Sequence, residues 1–390
     1  MGTASRQSPV ASRQGRAPAS AADFAAELRD ASERGASVRF TGGGTKLAWG
    51  NRGQEPDIEL STVGLDRIVE HNAGDLTAVL EAGVPLEVAQ AKFAEAGQML
   101  ALDPPVTEGA TIGGVVATAD SGPLRSRYGA ARDLVVGITV ALSDGTVAKA
   151  GGKVIKNVAG YDLAKLFTGS FGTLGAILEL SVRLHPLAPA TATAAAGSPD
   201  PEALARGALA LSHAPLEHSG LDVRFGGGDG AVLIRLAGTA PGAQAEAAAR
   251  VLGGAGLDAT VTEDDDEIWR LQREGQRSRD GTVVRVSALQ TELAAVMAAS
   301  EGLGARMVGR APLGICWLRI EDRSAEEMAS AVERLRLELS PAPCAVLDAP
   351  AEVRARTDPW GRRSSGELEL MRRVRERFDP AGSCNPDLLP

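Results

Sequence analysis

The residues best placed to do chemistry in this chain of 390 residues are glycines, not acids, bases or nucleophiles. The run Thr41-Gly42-Gly43-Gly44-Thr45-Lys46 directly follows a β-type stretch, Ser37-Val38-Arg39-Phe40. Consecutive glycines let backbone N–H groups converge on an anion, because no side chain blocks the approach and positive φ is open to them. The run is not a Walker A loop, since the G-x-x-x-x-G-K-[ST] spacing is missing, and G-x-G-x-x-G is not completed either. A plain turn would use the same residues, so the run alone does not name its anion.

Two further stretches share its character. One comprises Asp103-Pro104-Pro105, Gly109-Ala110-Thr111-Ile112-Gly113-Gly114, Ser121-Gly122-Pro123 and Arg127-Tyr128-Gly129. The other runs Lys156-Asn157-Val158-Ala159-Gly160-Tyr161-Asp162, then Gly169-Ser170-Phe171-Gly172-Thr173-Leu174-Gly175. Glycines at 169, 172 and 175 recur every three residues, a spacing that ordinary helices and strands do not favour. Each stretch alone is a turn; three at strand ends in one region imply a shared ligand wrapped by backbone donors.

The titratable groups offer less. The histidines are His71, His185, His213 and His218, and none lies in a glycine stretch. His213 and His218, five apart, suit no metal pairing on a helix and read as surface residues. Cys316, Cys344 and Cys384 form no C-x-x-C pair, which excludes a disulfide framework or an iron–sulfur cluster held by this chain alone. No metal site is expected. Arg235, Arg310 and Arg319 could bind a carboxylate, although arginines on such strands read first as solvated edge residues. The acidic run Glu263 to Glu267 reads as a solvated turn or helix start.

The elements that must position these residues can be read from local signals. Ser20-Ala21-Ala22-Asp23 opens a helix ending near Gly35, and Leu76 to Gly83 is a strand with a glycine stop. Pro85 to Ala96 is a helix closed by Gly97, and Leu134 to Leu142 and Ala176 to Leu184 are strands. A Pro/Ala/Ser/Gly-rich join at 186–200 marks a boundary. Beyond it, strands at Ala231 to Leu236 and Gly314 to Ile320 alternate with alanine-rich helices at 201–212, 241–253 and 324–338. That alternation predicts helices on one face of a sheet. A charged helix, Glu367 to Arg377, precedes Phe378-Asp379-Pro380-Ala381-Gly382 and Asn385-Pro386, whose prolines indicate a fixed, extended course. The expected units are a disordered tail at 1–20, a domain at 21–187, a second at 188–350, and a C-terminal segment at 351–390.

Composition narrows the function classes. Apolar residues make up 44% of the chain but aromatics only 3%, so stacking platforms for single-stranded nucleic acid are not expected. A net charge of -9 repels phosphate backbones and anionic lipid surfaces. No apolar run is long enough to span a bilayer, and the first 20 residues lack the apolar core of a signal peptide. These features imply a cytoplasmic protein, with any membrane association made through partners.

The order of motifs across residues 37–187 resembles the FAD-binding domain of the vanillyl-alcohol oxidase type, also called the PCMH-type fold. These are GGGTK, P-x-x-x-x-G-A-T-I-G-G, S-G-P-x-R-x-x-Y-G-x-x-R-D and K-N-V-A-G-Y-D-L-x-K-L-x-x-G-S-x-G-T-L-G. The wording is most similar to FAD-binding subunits of glycolate oxidase, and the likeness resumes at Asp358-Pro359-Trp360-Gly361 and in the terminal segment. The resemblance implies an α+β fold: a two-lobed FAD domain, a smaller α+β cap, and a C-terminal segment packing back on the FAD domain. It places a pyrophosphate at Gly42, Gly43, Gly44, Thr45 and Lys46. Pro105, Gly109, Ala110, Thr111, Gly113, Gly114, Ser121, Gly122 and Tyr128 would line the flavin. Gly172, Gly175 and Ile177 would meet the adenine side or ribityl chain, with Asn385 closing the pocket.

The resemblance also sets limits. No histidine falls in these loops, so FAD is expected to be noncovalent. The histidine-rich H-x-G-D-G-N-x-H motif of hydroxyacid dehydrogenases of this fold is missing; Gly226-Gly227-Gly228-Asp229-Gly230 has no flanking histidine. The implied function is the FAD-carrying subunit of a 2-hydroxyacid oxidoreductase complex acting on glycolate or D-lactate. A sister flavoprotein and an iron–sulfur subunit would be its partners. Two alternatives remain: a self-sufficient oxidase or dehydrogenase of an unknown alcohol or hydroxy acid, and a flavin-binding scaffold without turnover.

Overall fold

The computed structural model describes residues 15–51, 55–153, 161–361 and 363–389. Ser20 caps the first helix, Ala21–Glu33, by accepting the Asp23 N–H at 3.1 Å. Phe24, Ala25, Leu28 and Ala31 form its buried stripe. The helix covers a parallel sheet ordered Gly15–Arg16, Ile58–Ser61, Val38–Thr41. Residues 1–14 of the expected disordered tail lie outside the described residues. Gly15–Arg16 correct that expectation, because they pair in register with Glu59 and Leu60.

A five-stranded antiparallel sheet follows, ordered Ile68–Asn72, Thr77–Glu81, Ala176–Arg183, Val135–Ala141, Val147–Gly151. Its central strand is covered on both faces, which explains its nearly continuous apolar run. Ala176 and Leu178 join the core under helix Ala21–Glu33. Ile177, Leu180 and Val182 face helices Leu86–Ala94 and Ile112–Thr118. The glycine stretches sit where strands Val38–Thr41, Thr77–Glu81 and Ala176–Arg183 meet these helices.

The remainder is an antiparallel eight-stranded sheet. Its order is Ala259–Thr262, Ala190–Ser198, Gly230–Gly238, His218–Phe225, Arg306–Arg310, Ile315–Ile320, Thr282–Ser287, Cys344–Val346. Helices Pro201–His213, Pro241–Gly254, Leu293–Gly302 and Ala325–Glu338 pack on one face, as the alternation predicts. Strand pleating sends every second side chain to the other face. Leu221, Val223 and Phe225 therefore enter the helical core, while Asp222 points away. That second face holds Trp317 and Arg310 and turns toward the N-terminal sheets.

Here three sequence expectations are corrected. Arg310 is no solvated edge residue: it lies on a central strand, fully buried, and pairs with buried Asp222 at 2.6 Å. Arg235 is anchored by Asp265 at 2.6 Å, and Arg319 is half-buried beside Glu321. Within the acidic run, Asp265 is buried and accepts hydrogen bonds from Thr191, Thr193 and Arg235. The run does open a helix, Asp266–Glu274, and its other members are exposed, but Asp265 itself is a structural anchor.

Helix Ser365–Phe378 carries a Ser364/Glu367 capping box, and the chain then returns to the N-terminal sheets. Val38 donates to the Ser383 carbonyl at 2.8 Å, and Asn385 N–H donates back to the Val38 carbonyl at 2.8 Å. Cys384 is buried between them, beside Phe24 and Leu28. Among the described residues, no helix is long and apolar enough to cross a membrane.

Candidate functional site

A cleft of about 340 Å³ lies where the three glycine stretches converge. Gly42, Gly43, Gly44, Thr45 and Lys46 line one wall, and Thr111, Gly113 and Gly114 another. Gly172, Gly175, Ile177 and Asn385 complete it. Glycine is required by close packing. A Cβ on Gly43 would lie 1.5 Å from the Gly109 carbonyl oxygen, and one on Gly42 would lie 2.2 Å from Thr111 Oγ1. The two loops can touch only because these side chains are missing.

Asn385 clamps the far end of the cleft. Its Oδ1 accepts the Phe40 N–H at 2.7 Å, and its Nδ2 donates to the Phe171 carbonyl at 2.5 Å. Phe171 itself sits at φ 54°, an unusual conformation for a residue with a side chain. It is held there by its N–H to Ala117 and by edge contact of its ring with Trp360.

The cleft has the donor chemistry for an anion. Among the described residues, the backbone amides of Gly43, Gly44, Thr45 and Lys46 donate to no protein acceptor. Four adjacent free donors on one loop suit a pyrophosphate. The Lys46 ammonium differs from the sequence expectation: it is buried and pairs with Asp120 at 3.2 Å. Its charge is thus already balanced, and the amides provide the anion-binding capacity. Burial lowers the Lys46 pKa and raises that of Asp120; each partner opposes the shift of the other.

Several expected lining residues lie elsewhere. Gly109 and Ala110 stand behind the glycine wall, the first against Gly43 and the second in the core. Pro105, Ser121, Gly122 and Tyr128 do not line the cleft. Ser121 and Gly122 instead belong to a turn held by Asp103, whose carboxylate accepts the Leu124 N–H at 3.2 Å. Gln276, from the eight-stranded half, donates to the Ser121 carbonyl at 3.0 Å and accepts from Arg310. Burial pushes the Asp103 carboxyl up to about 7, against the pull of Arg310. Tyr128 packs on His185 with ring centroids 4.7 Å apart. Lys156 to Gly160 lie outside the described residues.

Sequence reasoning missed Arg39, Phe40, Trp49, Phe171, Arg354 and Leu388, all of which line the cleft. Arg39, Phe40, Trp49 and Phe171 adjoin the glycine stretches in sequence, whereas Arg354 and Leu388 arrive from distant segments and no local signal marks them. Trp49 Nε1 donates to Asp348 at 2.9 Å, and Arg277 pairs with the same carboxylate at 2.7 Å. Arg277 also reaches the Thr45 carbonyl at 3.2 Å, which ties the glycine loop to the eight-stranded half.

No histidine or cysteine lines the cleft. His71 contacts Gln98 at 3.0 Å, and His213 is exposed. His218 corrects its surface assignment: it is partly buried, and burial followed by Arg127 lowers its pKa. Burial raises the thiols of Cys316 and Cys344 to about 12 and about 11, so both stay protonated. Among the described residues, no three acidic, histidine or cysteine side chains are grouped to hold a metal.

Residues 16–151 match the family model of the FAD binding domain. Glycolate oxidase subunit GlcE of Escherichia coli (strain K12) is 42% identical over 120 residues, 30% of this chain and 34% of that protein. D-lactate dehydrogenase of Archaeoglobus fulgidus is 37% identical over 170 residues, 43% of this chain and 38% of that protein. Glycolate oxidase subunit GlcD of Bacillus subtilis (strain 168) is 37% identical over 172 residues, 44% and 36% of the two chains. The chain thus spans little more than a third of the length of these relatives. Among solved structures, an alkyldihydroxyacetonephosphate synthase shares the fold over 95% of this chain and 76% of its own, with a TM-score of 0.73 at 14% identity. The chain therefore carries, over residues 16–151, an FAD-binding domain of the PCMH type, and FAD is its cofactor.

Proposed function

We propose that this chain is an FAD-dependent oxidoreductase of 2-hydroxy acids such as glycolate or D-lactate. It acts as the flavin-carrying subunit of a glycolate oxidase-type complex, beside a sister flavoprotein and an iron–sulfur subunit. The observation that carries the reading is the glycine cleft, with its row of free amides at Gly43 to Lys46. These amides hold the pyrophosphate, Thr111, Gly113 and Gly114 flank the flavin, and Gly172, Gly175 and Ile177 take the adenine side. Asn385 fixes the wall between them. When bound, FAD supplies the two-electron acceptor for oxidation of the acid. A cleft with no histidine or cysteine favours noncovalent binding.

The same lack of a histidine favours a second reading, a flavin-holding scaffold, because hydroxyl deprotonation needs a base near neutral pKa. The purified chain should show the visible flavin band and release FAD on acid treatment. A colourless protein that takes up no FAD sinks the proposal. Anaerobic bleaching by glycolate or D-lactate then separates the roles. Bleaching only with co-purified partners selects the subunit, bleaching of the lone chain the self-sufficient enzyme, and none in either case the scaffold.

A further inference from the structure

Among the described residues, three cations line the cleft: Arg39, Lys46 and Arg354. Two of them have a carboxylate. Lys46 pairs with Asp120 at 3.2 Å, and Arg39 stands 3.6 Å from Glu59. Arg354 is half-buried and forms no ion pair with any described residue. Backbone carbonyls hold its guanidinium instead. Nε donates to Ala349 at 3.2 Å, Nη2 donates to Leu347, and Nη1 donates to Gly50 at a long 3.4 Å. A guanidinium carries five N–H groups, so with three of them engaged two have no acceptor among the described residues. Carbonyls fix the group in place but neutralise none of its charge.

One loop relates Arg354 to the free amides of Gly43 to Lys46. Leu47 N–H donates to the Gly44 carbonyl at 3.5 Å and Trp49 N–H to the Lys46 carbonyl at 3.0 Å, so the chain turns back on itself after the amide row. Such a turn keeps its first and fourth residues within about 7 Å. Gly50, which Arg354 grips, follows directly and also lines the cleft. The cation itself comes from helix Ala351–Arg354, beyond the last strand of the eight-stranded sheet. Burial lowers the Arg354 pKa and Asp348 opposes the shift, but Asp348 already serves Arg277 at 2.7 Å and Trp49 at 2.9 Å. Arg354 keeps its proton, as guanidinium groups in proteins do. A half-buried cation without a counter-ion is unfavourable until an anion completes it.

We propose that Arg354 is the cationic partner of the FAD pyrophosphate, supplying the full positive charge that the glycine-loop amides lack. Backbone amides offer only partial charges, whereas each phosphoryl group of the cofactor carries a full negative one. Guanidinium N–H groups match phosphoryl oxygens in a bidentate geometry, and two spare N–H groups are what that contact needs. Lys46, the cation within the loop, is already neutralised by Asp120. The inference deepens the reading of the cleft as the FAD site and rests on it.

The test follows FAD release from the loaded full chain on dilution, read by flavin fluorescence across a series of salt concentrations. The variants are Arg354→Gln, Arg354→Lys and the control Arg356→Gln. Arg356 is exposed, two residues on, with its Nη1 on the Glu352 carbonyl at 3.0 Å. Arg354→Gln should weaken FAD about ten- to a hundred-fold, the worth of a charge-assisted hydrogen-bonding partner. It should also flatten the salt dependence, because a screened charge contact has gone; an arginine that only braces the loop would leave that slope alone. Arg354→Lys should keep the slope and recover part of the affinity, and Arg356→Gln should match the parent in both. If the glutamine variant fails to fold, arginine modification of the parent by phenylglyoxal, mapped by mass spectrometry, gives the answer. Arg354 should be protected while FAD is bound and exposed to the reagent after its release; ADP should restore the protection and adenosine should not. Unchanged affinity in Arg354→Gln overturns the inference, as does weaker binding with the parent slope, or modification indifferent to ADP. A parent that takes up no FAD overturns the cofactor reading as well, whereas a flavin-loaded parent with a silent Arg354 overturns the arginine alone.

Discussion

Asn385 serves two distant backbone segments with one side chain, accepting from Phe40 and donating to Phe171. Asn385→Ala leaves a buried amide and carbonyl without partners, each worth about 1–3 kcal/mol. The expected result is a protein about 2–6 kcal/mol less stable that holds FAD more weakly, read by denaturant titration and flavin release. Asp103 gives a different residue-scale prediction. Its folded pKa of about 7 stands above the unfolded 3.8, so the native state binds the proton more tightly. That contribution to stability is fully present below 3.8 and is lost as pH rises to about 7. Asp103→Asn, which can still accept the Leu124 N–H, removes the dependence. The stability of the variant relative to the parent should therefore climb across that window and level off above it. Parallel pH curves in thermal melts would refute the assignment.

At the scale of elements, the site is a matter of two loops approaching until their backbones touch. Strand Val38–Thr41 delivers the glycine run, and the turn before helix Ile112–Thr118 delivers Gly109 and Thr111. A methyl group on Gly43 would meet a backbone oxygen at 1.5 Å, and no side chain can swing aside to relieve it. Gly43→Ala should abolish FAD binding by pushing the loops apart, with a modest loss of stability because the helix-side cores are untouched. Gly227, at φ 73° with open space around its Cβ position, is the control. Gly227→Ala should cost about 1–2 kcal/mol from backbone strain alone and leave FAD content unchanged. Equal FAD loss in both variants would point to general instability.

At the scale of the whole molecule, the eight-stranded half is tied to the cofactor loop by Arg277, Asp348, Trp49 and the Thr45 carbonyl. Arg277→Ala leaves Asp348 buried with only neutral donors, which costs about 3–5 kcal/mol for a broken buried pair. Because the contact joins the two halves, part of that loss should appear as uncoupling. Calorimetry of the variant should show a broadened or split transition where the parent shows a tighter one, and FAD should stabilise only the first half. A single transition merely shifted down in temperature would mean that the contact is local.

Much of the fold was legible from local signals. Ser20 before an apolar stripe, glycine stops after strands, and the alternation of strands with alanine-rich helices depend on neighbours in the chain, so the sequence states them directly. The glycine runs around Gly43, Gly113 and Gly172 were legible for the same reason: only backbone chemistry explains so many missing side chains. What surrounds them was not. Whether Arg310 is a solvated edge residue or a buried ion pair depends on which face of its strand another sheet covers, and pleating alone leaves that open. Likewise Lys46 meets Asp120 and Leu388 joins the cleft only after chain segments far apart have docked. The sequence by itself determined a glycine-built FAD cradle in an α+β chain. The tertiary structure alone decided which charges around that cradle are neutralised, because neutralisation is a property of neighbours in space.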